Sequence, residues 1–314
     1  MDLGIVVVSY NTRELTCDCL ASVYAALGSG ALQAHVWVVD NASSDGSVEA
    51  LRARFPQATV LASAANLGFA GATNLGVQQM LADGAQPRHL LLLNPDTLVA
   101  PDALTLLVDW LDRTPDAAVA GAQLCYADGS FQHGAFHFPT LLMALFDFVP
   151  AHYRVRESWL NGRYPRRLYA RGEPFAIDHP LGAAMLVRWQ AWEQVGALDE
   201  GYFMYCEEID WCMRARSAGW RCGCVPRARV THLGGQSAQQ FRDTMFVALW
   251  RSRQRLFSRH YGRCYRWVVN AIVRWGMRIR SREARRALAQ GRIGADEAAG
   301  RLEAYAQVRG LYGG

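Results

Sequence analysis

A repeating unit constrains this chain most: a short, uncharged, apolar run that ends in a polar cluster, then a segment of helical periodicity. Leu3–Ser9 is the first such run. It is rich in valine and does not alternate with polar residues, as a strand buried on both faces requires. Asn11 and Thr12 stand where a helix cap belongs, and Leu15, Cys19, Leu20 and Val23 recur at helical spacing as far as Leu27. The unit then repeats. A strand over His35–Val39 ends at Asp40. A helix capped by Ser44 or Asp45 runs to Phe55, a strand covers Ala58–Leu61, and a helix covers Gly71 to Ala82. A strand over His89–Leu93 precedes a helix from Pro101 to Arg113. Strands that alternate with helices pair in parallel, which predicts an α/β chain with a mostly parallel open sheet and helices on both faces. Such sheets bind ligands at the carboxyl ends of their strands. Ser9-Tyr10-Asn11, Asp40-Asn41 and Asn94-Pro95-Asp96 fall there.

Composition removes several chemistries. There is no lysine, so all 33 basic residues are arginine. A P-loop nucleotidase, a protein kinase and a pyridoxal enzyme each need a lysine and are disfavoured. The eight cysteines include no C-x-x-C pair, which argues against a zinc ribbon or a dithiol redox site. Met1-Asp2-Leu3-Gly4 lacks a basic leader, and no uncharged apolar stretch reaches the ~18 residues of a membrane span. The expected location is the cytoplasm.

Each polar cluster admits a functional and a structural reading. Asp40 can accept hydrogen bonds from a base or ribose, or it can begin an ordinary turn with a cap. In Asn66-Leu67-Gly68-Phe69-Ala70-Gly71 the glycines permit close approach of a ligand or of another backbone, but the spacing is not G-x-G-x-x-G. Asn94-Pro95-Asp96 supplies oxygen ligands suited to Mg²⁺ or Mn²⁺ on a diphosphate, or forms a β-turn. Glu207-Glu208-Ile209-Asp210 lies beside Tyr205 and Trp211. A carboxylate there can serve as a general base, or the acids can form the first turn of a helix. His232 is a candidate ligand or a structural histidine, and the Gly234, Gly235 and Ser237 that follow offer backbone donors to phosphate.

Taken in order, Val7-Val8-Ser9-Tyr10-Asn11, Val39-Asp40-Asn41-Ala42-Ser43-Ser44-Asp45-Gly46-Ser47, Asn66-Leu67-Gly68-Phe69-Ala70, Leu93-Asn94-Pro95-Asp96 and Glu207-Glu208-Ile209-Asp210 resemble the family 2 inverting glycosyltransferases of GT-A fold. The nearest likeness is to the rhamnosyltransferase-like branch of bacterial surface-polysaccharide synthesis, over residues 1–262. His232-Leu233-Gly234-Gly235 agrees with it. The resemblance implies a GT-A catalytic domain over 1–240, with a nucleotide-sugar half (1–97) and an acceptor half (98–240), and a helical arginine-rich segment over 241–314. It implies that Ser9, Asn11, Asp40, Asn66, Gly68, Asn94 and Asp96 bind the nucleotide-sugar. Asp96, joined by His232, would hold Mg²⁺ or Mn²⁺, although Asn94 stands where many members have an acid. Glu208 would be the catalytic base, where many members have Asp. Glu207, Asp210 and Trp211 would meet the acceptor. The implied donor is dTDP-L-rhamnose or another dTDP- or UDP-sugar, and the implied acceptor a glycan or a polyprenyl-diphosphate-linked sugar. A non-catalytic nucleotide-sugar-binding scaffold of the same fold is the alternative.

The tail adds one expectation. Residues 251–292 hold 13 arginines and one acid, Glu283, among Trp, Tyr, Val and Ile. Trp267–Ile279 mixes aromatic and aliphatic residues with Arg274 and Arg278, which suits a helix lying on the inner face of the cytoplasmic membrane against anionic headgroups. The competing reading is a helical pair packed on the catalytic domain. No nucleic-acid signature accompanies the arginines, and a second copy of the chain is a further candidate partner.

Overall fold

The computed structural model describes residues 1–28, 30–234 and 242–313. The repeating units become β1 (Leu3–Ser9), α1 (Arg13–Leu27), β2 (Ala34–Asp40), α2 (Ser47–Arg54), β3 (Thr59–Ala62), α3 (Gly68–Ala82), β4 (His89–Leu93), β5 (Thr97–Val99) and α4 (Ala103–Arg113). β1 lies in parallel between β2 and β4, and β2 pairs in parallel with β3. Every residue of β1 is buried, because helices cover both faces of the sheet. On one side Ile5 and Val7 join Leu20 and Val23 of α1 and Leu104, Leu107 and Leu111 of α4 in the main core. On the other, Val8 and Val39 meet Ala72 of α3. A Cβ on Gly76 would stand 2.7 Å from Val6 Cγ1, so a glycine is what lets α3 lie this close to the sheet.

The remaining elements are β6 (Ala117–Cys125), β7 (Phe131–Gln132), β8 (Ala135–Phe136), α5 (Leu141–Phe146), α6 (Tyr153–Arg156), α7 (Arg166–Ala170), β9 (Phe175–Ile177), β10 (His179–Pro180), β11 (Ala184–Arg188), α8 (Trp189–Val195), α9 (Glu207–Ser217) and β12 (Arg221–His232), followed by three C-terminal helices. Beyond β4 the sheet is mixed. β11 runs antiparallel to β4 and β6, while β12 is parallel to β6 and antiparallel to β5. The order is β3-β2-β1-β4-β11-β6-β12-β5. The strand-helix alternation that marks the first half gives no warning of this, since β5 is too short to show a pattern.

The chain divides into two compact units. The first comprises Met1–His137, Tyr164–Phe203 and the segment from Glu207 through β12. The second takes Phe138–Arg163 and Met204–Cys206 together with the C-terminal helices, so the division is interleaved and not a single boundary near residue 240. Its helices, Arg242–His260, Arg263–Ala289 and Ala295–Leu311, pack around Trp250, Phe257, Val269, Val273, Met277, Val308 and Tyr312. Part of the Trp267–Ile279 run is therefore core. Among the described residues no helix is long and apolar enough to cross a membrane.

Candidate active site

Register builds the rim of the site. Ser9 pairs with Asp40 and Val7 with Leu93, so the polar residues that follow these strands emerge side by side. The Asn41 N–H donates to Ser9 O at 2.8 Å. The two following loops are stitched together: Asn11 N–H donates to Ser43 Oγ, and Ser44 N–H donates to Asn11 Oδ1, both at 2.8 Å. Asp45 accepts from the Arg13 N–H at the start of α1 and from the Ser47 N–H at the start of α2, one carboxylate serving two helix N-termini. Burial pushes Asp45 up, but the hydrogen bonds from Ser47 and Arg13 outweigh it and leave its pKa below the ordinary value. Gly46, in the left-handed region (φ 78°), makes the turn into α2.

Within this frame the predicted nucleotide residues differ in role. The Ser9 hydroxyl is wholly buried and shares hydrogen bonds of 2.9–3.3 Å with Thr12 and Thr16, so it holds the rim together and does not line it. Asn41 ties the rim to the next loop, donating through Nδ2 to Asn66 Oδ1 at 3.0 Å and accepting at Oδ1 from the Leu67 N–H at 2.8 Å. Gly68 has φ 72°, and a Cβ there would lie 2.2 Å from Phe203 O, so no other residue fits. Asp40 is 1% exposed. Its Oδ1 accepts from the Ser43 N–H at 2.9 Å, and its Oδ2 is buried with no partner. A buried carboxylate oxygen without a donor costs about 1–3 kcal/mol, a cost removed by any ligand that brings an N–H or O–H to it.

Asp96 and His232 are brought together by an antiparallel pair. β12 aligns His232 with Thr97, next to Asp96, and the Leu233 N–H donates to Asp96 O at 2.9 Å. His232 Nε2 stands 3.6 Å from Asp96 Oδ1, and both residues are nearly buried. The far side of the ring meets Gln132: Nδ1–H donates to Oε1 at 3.2 Å. That leaves the Nε2 lone pair facing a carboxylate oxygen, two acceptors beyond hydrogen-bond length. Burial pushes the His232 imidazole below its ordinary value, opposed by the Asp96 charge. The Asn94 N–H donates to Ala183 O at 2.9 Å, which carries the β4–β11 pairing one residue further. Gly235, Gln236 and Ser237 lie outside the described residues.

The acidic segment divides on a single turn. Tyr205 and Cys206, both with positive φ (70° and 68°), reverse the chain immediately before α9. Glu207 is 5% exposed. Burial, and then the charge of Glu208, pushes its carboxyl well above the usual range, and its Oε2 has no partner. Glu208 is half-buried against Gly182, where an added Cβ would meet its side chain at 3.6 Å. Asp210 and Trp211 are 0% exposed, which corrects the expectation that they meet the acceptor. Asp210 accepts from Tyr202 Oη at 3.2 Å and from Arg214 Nε at 2.8 Å. Arg214 also donates to Val195 O at 2.8 Å. Trp211 donates through Nε1 to Gly196 O at 2.8 Å and stacks on Trp192. Both are the anchor of α9.

The sequence profile described as Glycosyl transferase family 2 matches residues 4–189, more than half of the chain. The chain belongs to glycosyl transferase family 2. Within it the chain is rhamnosyltransferase-like. It is 33% identical over 203 residues to an N-acetylglucosaminyl-diphospho-decaprenol L-rhamnosyltransferase of Mycobacterium tuberculosis, covering 63% of this chain and 66% of that protein. It is 27% identical over 167 residues to rhamnosyltransferase WbbL of Escherichia coli, covering 52% of this chain and 58% of that protein. The match thus spans less than two thirds of the length of each of these relatives. Among solved structures, mannosyltransferase PcManGT from Pyrobaculum calidifontis, in complex with GDP-Man and Mn²⁺, superposes with a TM-score of 0.55 at 16% identity over 98% of this chain and 85% of that one. S. aureus TarS 1-349 gives 0.51 at 14% identity over 99% and 91%. The shared architecture is the GT-A fold.

The stretch matched to family 2 carries the polar rim and Asp96 but ends before Glu207 and His232. Two contributors escape a reading of the sequence. Gln132, which turns the His232 ring, carries no motif signal. Gly182 carries none either, since its contact with Glu208 is a product of tertiary packing.

Proposed function

We propose that this family 2 chain transfers a hexosyl group, L-rhamnose from a dTDP-linked donor, to a hydroxyl of a lipid-linked glycan acceptor in surface-polysaccharide synthesis, with inversion. The observation that carries the reading is the Asp96–His232 pair, two acceptors 3.6 Å apart on the same sheet edge as the unpartnered Asp40 oxygen. Among the described residues no cluster of three or more metal-binding side chains exists. A two-donor set still fits a divalent ion that completes its shell with phosphate oxygens and water; the carboxylate suits Mg²⁺ or Mn²⁺, and the imidazole favours Mn²⁺ of the two. Asp96 and His232 would hold the ion, and bound there it neutralises charge on the departing diphosphate. The names of the mycobacterial and Escherichia coli relatives support a rhamnosyl donor, and the former supports a polyprenyl-diphosphate acceptor.

In this reading Asp40 Oδ2 accepts from the base or ribose, and Asn11, Asn66 and Gly68 fix the loops around it. Glu208, the more accessible acid of the α9 turn, takes the proton of the acceptor hydroxyl as its oxygen attacks the anomeric carbon. The new C–O bond forms on the face opposite the breaking C–O bond to the β-phosphate, and the electron pair leaves with the nucleoside diphosphate. Burial keeps Glu207 toward its neutral form, so it is a poor proton acceptor beside Glu208. A nucleotide-sugar panel followed by thermal shift, with turnover and product anomeric configuration read by NMR, tests the proposal. Selective stabilisation by a dTDP-sugar together with an inverted product supports it. Donor binding without turnover in the presence of acceptor favours the scaffold alternative, and full activity in excess chelator sinks the metal assignment.

A further inference from the structure

The second C-terminal helix, Arg263–Ala289, has two unlike faces. Val269, Val273 and Met277, spaced by four, are buried in the core of their unit. Arg280 also turns inward, lying over Phe148 and Phe246 and donating to Asp147 O at 2.9 Å. The opposite face carries Trp267, Ala271 and Trp275 at the same spacing, with the indoles 72% and 44% exposed. Around them stand Arg263, Arg274, Arg278, Arg282, Arg285 and Arg286, none with an ion pair among the described residues. The helix has eight arginines and one acid, Glu283, which does not fall on this face.

Two clefts open beside that face. One, of about 320 Å³, is lined by Arg263, Arg266, Trp267, Asn270, Gln254 and Ser258. The Nε of Arg266 is buried with no partner. The other, of about 160 Å³, is lined by Arg278, Arg282 and Arg285 with Ser281, and by Arg309 of the third C-terminal helix. Neither cleft is lined by an acid. Guanidinium groups that converge on a cavity without a carboxylate are arranged for an anion with several oxygens, and phosphate suits their forked donors. Along one helix from Arg263 to Arg285 the clefts span about 33 Å. We propose that this face docks on an anionic phospholipid surface, with lipid phosphates seated in the two arginine-lined clefts and the indoles of Trp267 and Trp275 at headgroup depth. Charge complementarity selects the anionic surface, and exposed indoles interleaved with long arginine stems select the interface of a bilayer over a free solute.

Co-sedimentation of the full chain with vesicles tests this without any sugar donor, so it fails or holds independently of the proposed transfer. The chain should partition to phosphatidylcholine vesicles containing phosphatidylglycerol and not to phosphatidylcholine alone, with affinity falling as salt rises. Arg278→Gln/Arg282→Gln/Arg285→Gln should weaken binding about 100-fold, at roughly fivefold per arginine, and leave turnover of a soluble acceptor unchanged. Trp267→Ser should weaken it less. Equal partition to both vesicle types, salt-insensitive binding, or an unaffected triple variant would overturn the proposal. If that variant does not fold, the salt series on the unsubstituted chain decides between binding through charge and no such binding. Inorganic phosphate that stabilises the chain while vesicles fail to bind it would assign the clefts to a soluble phosphate instead. Retention on an oligonucleotide in preference to anionic vesicles would assign the face to nucleic acid.

Discussion

The polar rim after β1 and β2 and the acidic turn of α9 are both polar clusters at the edge of one sheet, yet they are made differently. In the rim, Ser9 bonds to Asn41, Asn11 bonds to Ser43 and Ser44, and Asp45 bonds to Arg13 and Ser47, and one buried carboxylate oxygen of Asp40 is left over. In the acidic turn the neighbours diverge. Asp210 is locked into the interior by Arg214, Glu207 is buried, and Glu208 is only half-buried. A rim of shared hydrogen bonds spreads the loss of any one member over its partners. A helix turn assigns each residue to its own direction, so substitutions one position apart should have unlike consequences.

The largest contrast is between Glu208 and everything around it. Glu208→Gln should lower turnover by about 10² to 10⁴-fold, the range of a general base, with donor affinity retained. Steady-state kinetics alongside donor titration reads this. If Glu207→Gln is instead the inactive variant, the roles of the two neighbours are reversed.

Asp210→Ala, two positions on, should act on stability. It leaves Arg214 without its buried partner, a loss of about 3–5 kcal/mol, measurable as a shift in the urea midpoint. An Asp210→Ala chain of unchanged stability but lost acceptor affinity would restore the acceptor role. Smaller again is Asp40→Asn, which turns the unpartnered acceptor into a donor. Donor affinity should fall about 10-fold, with turnover at saturation nearly kept, because a contact to the base does not change through the reaction. Isothermal titration with a dTDP-sugar checks it, and unchanged affinity would move the nucleotide off Asp40.

The rim and the acidic turn also differ in how far a sequence discloses them. β1 to β4 are legible because burial on both faces leaves an uninterrupted apolar run, and the rim because polar residues gather where those runs end. The sense of β11 and the pairing of β5 with β12 are not, since register between distant segments is set by packing and leaves no local period. His232 is visible as a residue, but its approach to Asp96 rests on that pairing. Asp210 and Trp211 mislead for a related reason: an acid at a helix start looks the same whether it faces solvent or an inward-turned arginine such as Arg214.

Glu207 gives the smallest effect and the finest test of the contrast on the α9 turn. Burial and the neighbouring Glu208 raise its folded pKa well above the ordinary value of 4.5. The folded state therefore holds a proton that the unfolded chain gives up, and the stability this confers is present below pH 4.5 and lost as pH rises toward the folded pKa. Glu207→Gln mimics the protonated form at every pH. Its stability should match that of the unsubstituted chain in acid and exceed it at neutral pH, with turnover changed less than threefold or so if Glu208 is the base. Denaturant midpoints followed from acid to neutral pH read the difference between the two curves. Parallel curves would mean that Glu207 is already relieved by a partner, and the burial that separates it from Glu208 would no longer account for their roles.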